Sequence, residues 1–273
     1  MDEKLPSFKK PPLIETAISV QFRTISGLTN GHLGILWDGH FRDRYPKAMD
    51  AQPIATQTET FDEEPSRRIR LPSFRIGTGD GASRLQLISE DDQQMIQLQN
   101  GRLVFNWRKL GNGAYPRWEQ VRPGFDDALH TFEGFLQRQG LARIEANQWE
   151  VTYVNHLSRG QEWDKPSDWP ALLPGLLGQA AANDEAMPEA VQCGYHFVLP
   201  GRRGRLHIEL YHGFTGLEAS ASEILGLQFT TRGPITTNDG EDLASGIELG
   251  HSVIVRQFDH VTGPVAHRIW ERE

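Results

Sequence analysis

The chain has 273 residues, 38% of them apolar and 23% charged, which suits a globular protein of one large domain or two small ones. No apolar run reaches the roughly 18 residues of a membrane span. The charged start MDEKLPSFKK has no apolar secretory core, and the lone cysteine, Cys193, excludes an internal disulfide, so a cytoplasmic, membrane-free protein is expected. The net charge of −8 sits wholly in the second half, because 18 basic and 18 acidic residues balance over 1–140. That acidity argues against a long nonspecific grip on nucleic acid.

The stretch PPLIETAISVQFR alternates without a break. Ile14, Thr16, Ile18, Val20 and Phe22 share one face, the period of a half-buried strand, and Pro11 and Pro12 end pairing just before it. A helix follows, with Asn30 as the expected N-cap, Leu33, Leu36, Trp37, His40 and Phe41 at helical spacing, and Pro46 as its stop. Residues 48–66 read as a loop. Four strands are expected at 70–77, 83–89, 93–99 and 102–109, the last two joined at Asn100-Gly101, a hairpin signal. A long helix is expected over 123–140, with Phe125, Ala128, Leu129, Phe132, Phe135 and Leu136 inward and Gly140 just past its end.

The second half repeats this order. A strand is expected at 147–158, then a proline-broken helix in SDWPALLPGLL, strands at 191–199, 204–212, 217–222 and 224–232, and a long helix over 241–261 with Leu243, Ile247, Ile254, Phe258 and Val261 on one stripe. A short helix closes the chain, with Ile269 and Trp270 docking it. The prediction is an α+β fold: a duplicated β-α-β4-α unit, divided as 1–141 and 142–273, forming one antiparallel sheet with two long helices on one face. This order resembles the two-fold repeat of the TATA-box-binding-protein fold; a helix-grip fold is the alternative. The segments PPLIETAISVQF, FRDRYP (41–46) and LGHSVIVRQFDHVTGPVAHRIWER (249–272) resemble a sporadically distributed, uncharacterised bacterial family of about this length. The resemblance runs end to end and implies no activity, cofactor or catalytic residue.

Signatures of chemistry are sparse. HTFE places His130 and Glu133 one helical turn apart, but a carboxylate metal site needs several such pairs, so no metal or other cofactor is expected. GTGDG (77–81) joins two expected strands, whereas a phosphate cradle would open a helix. GRRGR (201–205) reads as a solvated basic turn. No G-x-S-x-G is present, and Cys193 lies in an apolar strand beside Tyr195 and Phe197, where a thiol is inert. His251 borders the stripe of the last long helix and is followed by His260 and His267, three histidines whose roles the pattern leaves open.

No catalytic residue is assigned, and a non-enzymatic binding or regulatory protein is the expected class. The candidate site is the sheet face opposite the helices. Alternation places Arg23, Arg84, Arg102 and Arg108 there, with Gln21, Gln86 and Asn106 between them, and His156, His196, His207 and Glu209 in the second half. Arginine, not lysine, dominates that face, and its planar fork suits carboxylates and phosphates. The expected partner is therefore an anionic or polar macromolecule. A ligand-binding protein or enzyme with a cavity between sheet and helices, and a nucleic-acid binder, are the alternatives.

Overall fold

Pro11 and Pro12 lack the N–H that a ladder needs, and the first strand, β1 (Leu13–Phe22), starts at the next residue. In this computed structural model residues 4–61, 83–111, 113, 115–177, 188–215, 221–237 and 240–273 are described. β1 leads into α1 (Asn30–Leu36), which continues as one π-helical turn, Trp37–Phe41. Its N-cap is Thr29, not the expected Asn30: the Thr29 N–H donates to His32 Nδ1 at 3.3 Å. The π turn is closed by the Arg42 N–H on the Trp37 carbonyl at 2.9 Å, and Phe41 joins Leu33 and Leu36 in the core.

Strands β2 (Lys47–Ala51), β3 (Arg84–Ile88), β4 (Gln94–Gln99) and β5 (Arg102–Arg108) follow. β2 falls inside the expected loop. It is a short, mostly exposed edge strand, so it carries no apolar alternation to read. The expected strand at 70–77 and the turn GTGDG lie outside the described residues. Helix α2 (Trp118–Arg138) begins ahead of Pro123, not at it, and its buried stripe already includes Trp118 and Val121. Gly140, at φ 66°, ends it as expected. Its N–H donates to the Gln137 carbonyl at 3.1 Å and that of Leu141 to Leu136 at 3.0 Å, a Schellman closure.

The second half runs β6 (Ala146–Ser158), two short helices α3 (Trp169–Leu172) and α4 (Pro174–Leu177), then β7 (Gln192–Val198), β8 (Arg205–Thr215), β9 (Ser222–Pro234), α5 (Glu241–Val261) and α6 (Pro264–Ile269). The strand expected at 224–232 is the body of β9; of the one expected at 217–222, residues 217–220 lie outside the described set. Among the described residues nine strands form one sheet in the order β2-β3-β4-β5-β1-β6-β9-β8-β7, with every pairing antiparallel. This is an α+β fold. In each half the first strand lies at the centre, and the chain then crosses to an outer edge. It returns strand by strand until the last strand of the half flanks the first.

Register assigns the faces. Ile18 lies opposite Phe105 and Val151, and Val20 opposite Leu103 and Trp149. All six are buried on the side covered by α2, over β5 and β1, and by α5, over β6 and β9. The Phe22 and Phe132 rings meet at 6.0 Å. α5 comes closest where it has glycines: a Cβ on Gly246 would stand 2.3 Å from Trp149 Cδ1. The N-terminal arm zips onto the C-terminal tail, with the Lys10 N–H on the Trp270 carbonyl at 3.0 Å. Trp270, 1% exposed, stacks on Phe258 and docks α6, whereas Ile269, expected to share that role, is 37% exposed.

Candidate functional site

The opposite face is polar, as alternation requires, but much of it is not wet. Arg102, Gln21, Asn106, Gln97 and Gln148 are all buried there. Residues 52–61 leave β2 at the sheet edge and cross this face as a strap. Glutamines on three strands hold its backbone. On β4, Gln99 accepts the Ile54 N–H at 2.8 Å and donates to the Ile54 carbonyl at 2.9 Å. On β1, Gln21 accepts the Gln57 N–H at 3.2 Å. On β6, Gln148 accepts the Glu59 N–H at 2.9 Å and donates to the Gln57 carbonyl at 2.8 Å. Backbone groups without a neighbouring strand must find partners, and here side-chain amides supply them.

The strap ends in a charged nest. The Glu59 side chain is 6% exposed and meets Arg205 in an ion pair, with Arg232 Nε at 3.5 Å. His207 Nε2 donates to its carboxylate at 2.7 Å. His207 Nδ1 lies 2.8 Å from His196 Nδ1, within hydrogen-bond distance. Burial pushes the Glu59 carboxyl up, but the His207 hydrogen bond and charge, with Arg232 and Arg205, outweigh it and hold the group below the ordinary carboxylate range. Arg205 also donates to the Thr60 carbonyl at 3.2 Å and lies over the Phe61 ring at 4.9 Å. A second carboxylate, Glu150, joins Arg232 at 3.2 Å to Arg102 at 3.4 Å, while Arg102 donates to Gln21 at 2.8 Å.

Beside this nest a line of amides crosses four strands. Gln86 donates to Gln97 at 3.2 Å, Gln97 to Asn106 at 2.7 Å and Asn106 to Glu15 at 2.5 Å. Burial raises the Glu15 carboxyl pKa, with Asn106 and Arg108 opposing it.

The expected site residues divide. Register puts Arg84, Arg102, Arg108, His156, His196, His207 and Glu209 on this one face. Arg102, however, is 4% exposed, not solvent-facing as alternation alone implied, because the strap and Glu150 enclose it. Arg84 and Arg108 are half-buried, and Arg108 donates to the Asp92 carbonyl at 3.0 Å. Arg23 lies beyond the end of β1 and pairs with Glu145 at 3.1 Å. His156 is half-buried, which lowers its pKa. The residues that sequence reasoning missed are Glu59, Gln99, Gln148, Glu150, Arg205 and Arg232. Arg205 and Arg232 obey the same alternation as His207, a usable signal. Glu59 sits in a stretch without periodicity, where no pattern assigns a face.

No family model matches the chain, and no curated protein matches it. Among solved structures it is similar to Methanococcus jannaschii TBP, at 11% identity and a TM-score of 0.24, over 92% of this chain and 99% of that one; a score so low carries no argument about function.

Proposed function

We propose that the open face is a binding groove for an extended polypeptide segment bearing a carboxylate side chain, and that residues 52–61 fill it within the chain. The observation that carries this reading is the division of labour along the strap. Gln99, Gln21 and Gln148 read its backbone, which any sequence supplies. Only Glu59 enters a chemically selective pocket, among Arg205, Arg232 and His207. Most of the strap between these points is exposed, so little apolar burial holds it down. A tethered segment competes at an effective concentration of roughly millimolar order; a partner that adds its own apolar anchors can displace it. Glu15, Glu59 and Glu150 all lie on this face, which disfavours a phosphate backbone as the occupant.

The test uses the strap as its own probe. A labelled peptide QPIATQTETF, the sequence of residues 52–61, should bind E59A, whose groove is vacated, and bind wild type at least tenfold more weakly. Adding Arg205→Ala and Arg232→Ala to E59A should abolish binding, as should replacing the glutamate of the peptide by alanine. If E59A melts cooperatively yet binds no peptide in anisotropy titrations, the groove reading fails. Tighter retention of a single-stranded oligonucleotide than of the peptide would instead support nucleic-acid binding.

A further inference from the structure

We propose that a separate cavity on the helix side, bordered by the N-terminal arm, binds an apolar monocarboxylate with its carboxylate on Arg117. The cavity holds about 580 Å³, within the range of small-ligand sites, roughly 300 to 1,000 Å³. Its floor is the β1–β6 seam and its far wall is α5, with Ile254 and Phe258. The near wall is Trp118, and the arm from Leu5 to Phe8 lies along its open side. Apolar surface dominates, and three polar side chains form one connected line. Tyr115 and Tyr153 share a hydroxyl bond of 3.2 Å, and the Tyr153 hydroxyl meets His251 Nδ1 at 2.8 Å. The His251 ring stacks on Trp118 at 4.2 Å with 2° between planes. Burial holds His251 neutral, with a pKa of about 4, so this line presents hydrogen bonds without charge.

Charge enters at the rim. The Arg117 carbonyl accepts the Gln120 and Val121 N–H groups at 3.2 Å, but among the described residues its guanidinium makes no hydrogen bond or ion pair, and its backbone is held at φ 73° and ψ 161°. A residue with a side chain is strained in that conformation, and strain of this kind collects at ligand sites. Lys4 adds a second cation at the same mouth. Of the two carboxylates there, Glu273 accepts from Ser7 Oγ at 2.7 Å and also feels the charges of Lys9, Arg117 and Lys4, while Glu119 is exposed. An apolar tail with one carboxylate satisfies both parts: apolar walls for the tail, and for the head a guanidinium whose fork holds no hydrogen bond among the described residues.

Calorimetric titration of the full chain with decanoate and with decanol tests this. Decanoate should bind stoichiometrically, about ten- to a hundredfold tighter than decanol, the span of one charge-assisted pair. Arg117→Gly removes the cation and relieves the backbone strain, so its melting temperature should hold or rise while the preference for decanoate disappears. Val255→Trp, at a half-buried lining position, should block both probes. No binding of either probe overturns the site. Equal affinity for the two, or an undiminished preference in Arg117→Gly, overturns the carboxylate assignment. Since the cavity and the strap groove lie on opposite faces of the sheet, failure here leaves the peptide result untouched.

Discussion

His251 lies flat against Trp118 and takes the Tyr153 hydroxyl on Nδ1, an environment with room for a neutral imidazole only. Its pKa falls from 6.5 to about 4, through burial. The unfolded chain therefore binds a proton that the folded chain refuses over this window. Stability should fall as pH drops from about 6.5 to about 4 and be fully present above it. A shift of this size corresponds to about 3 kcal/mol. His251→Phe keeps the stack and removes the titration, so wild type should lose about 2 to 3 kcal/mol more than the variant between pH 7 and pH 4.5. The facing groups Tyr115, Tyr153, Glu119, Arg117 and Glu248 are common to both proteins and cancel in the difference. Parallel stability curves in urea would dismiss the assignment. Glu59 poses the opposite case: its carboxylate is wanted charged, and removing it leaves Arg205 and Arg232 facing one another. Glu59→Ala should cost about 2 to 5 kcal/mol, the range for truncating one member of a buried, hydrogen-bonded charge pair. An equilibrium loss under about 1 kcal/mol would mean that the nest is solvated.

At the scale of elements, the two long helices are held by opposite devices. α2 fills space: Phe132 is fully buried and meets Phe22, so Phe132→Ala should cost roughly 3 to 5 kcal/mol in chemical denaturation. α5 instead removes space, with Gly246 over Trp149. Gly246→Ala gains up to about 1 kcal/mol of helix propensity, yet its methyl meets an indole that is 1% exposed and cannot retreat. Overpacking of that kind costs about 1 to 3 kcal/mol, so the net effect should be destabilising; a variant more stable than wild type would show that the ring moves. These elements were legible because their periodicity is strong. The bounds of α5 and the start of β1 match the reading of apolar spacing. The apolar spacing from Phe125 onward places the start of α2 at residue 123, but the stripe continues upstream through Val121 and Trp118. The strap was illegible for a different reason. It runs without strand neighbours, so its residues follow no alternation, and its partners are side-chain amides whose identity as clamps depends on tertiary register. Alternation correctly grouped Arg84, Arg102 and Arg108 on one face; it could not say that another segment lies over Arg102.

Across the whole molecule, the seam between β1 and β6 decides whether the two halves are one object. β1 pairs with β5 on one side and with β6 on the other, and Ile18 and Val20 at its centre are fully buried. Both crossing segments of the sheet also span it: the strap starts at β2 and ends on β8 and β9, and the Arg102–Glu150–Arg232 chain bridges β5, β6 and β9. Separating residues 1–141 from 142–273 would leave β1 and β6 as long, apolar edge strands, the geometry that invites aggregation. It would also strand Glu59 without its cations. Each fragment expressed alone should be insoluble or fail to melt cooperatively. The two expressed together should copurify one to one and recover a single transition, since the register of the seam is written in their alternating faces. If either fragment alone gives a sharp thermal transition and a dispersed amide spectrum, the halves are independent folding units and the sheet is a joint between domains, not a shared core.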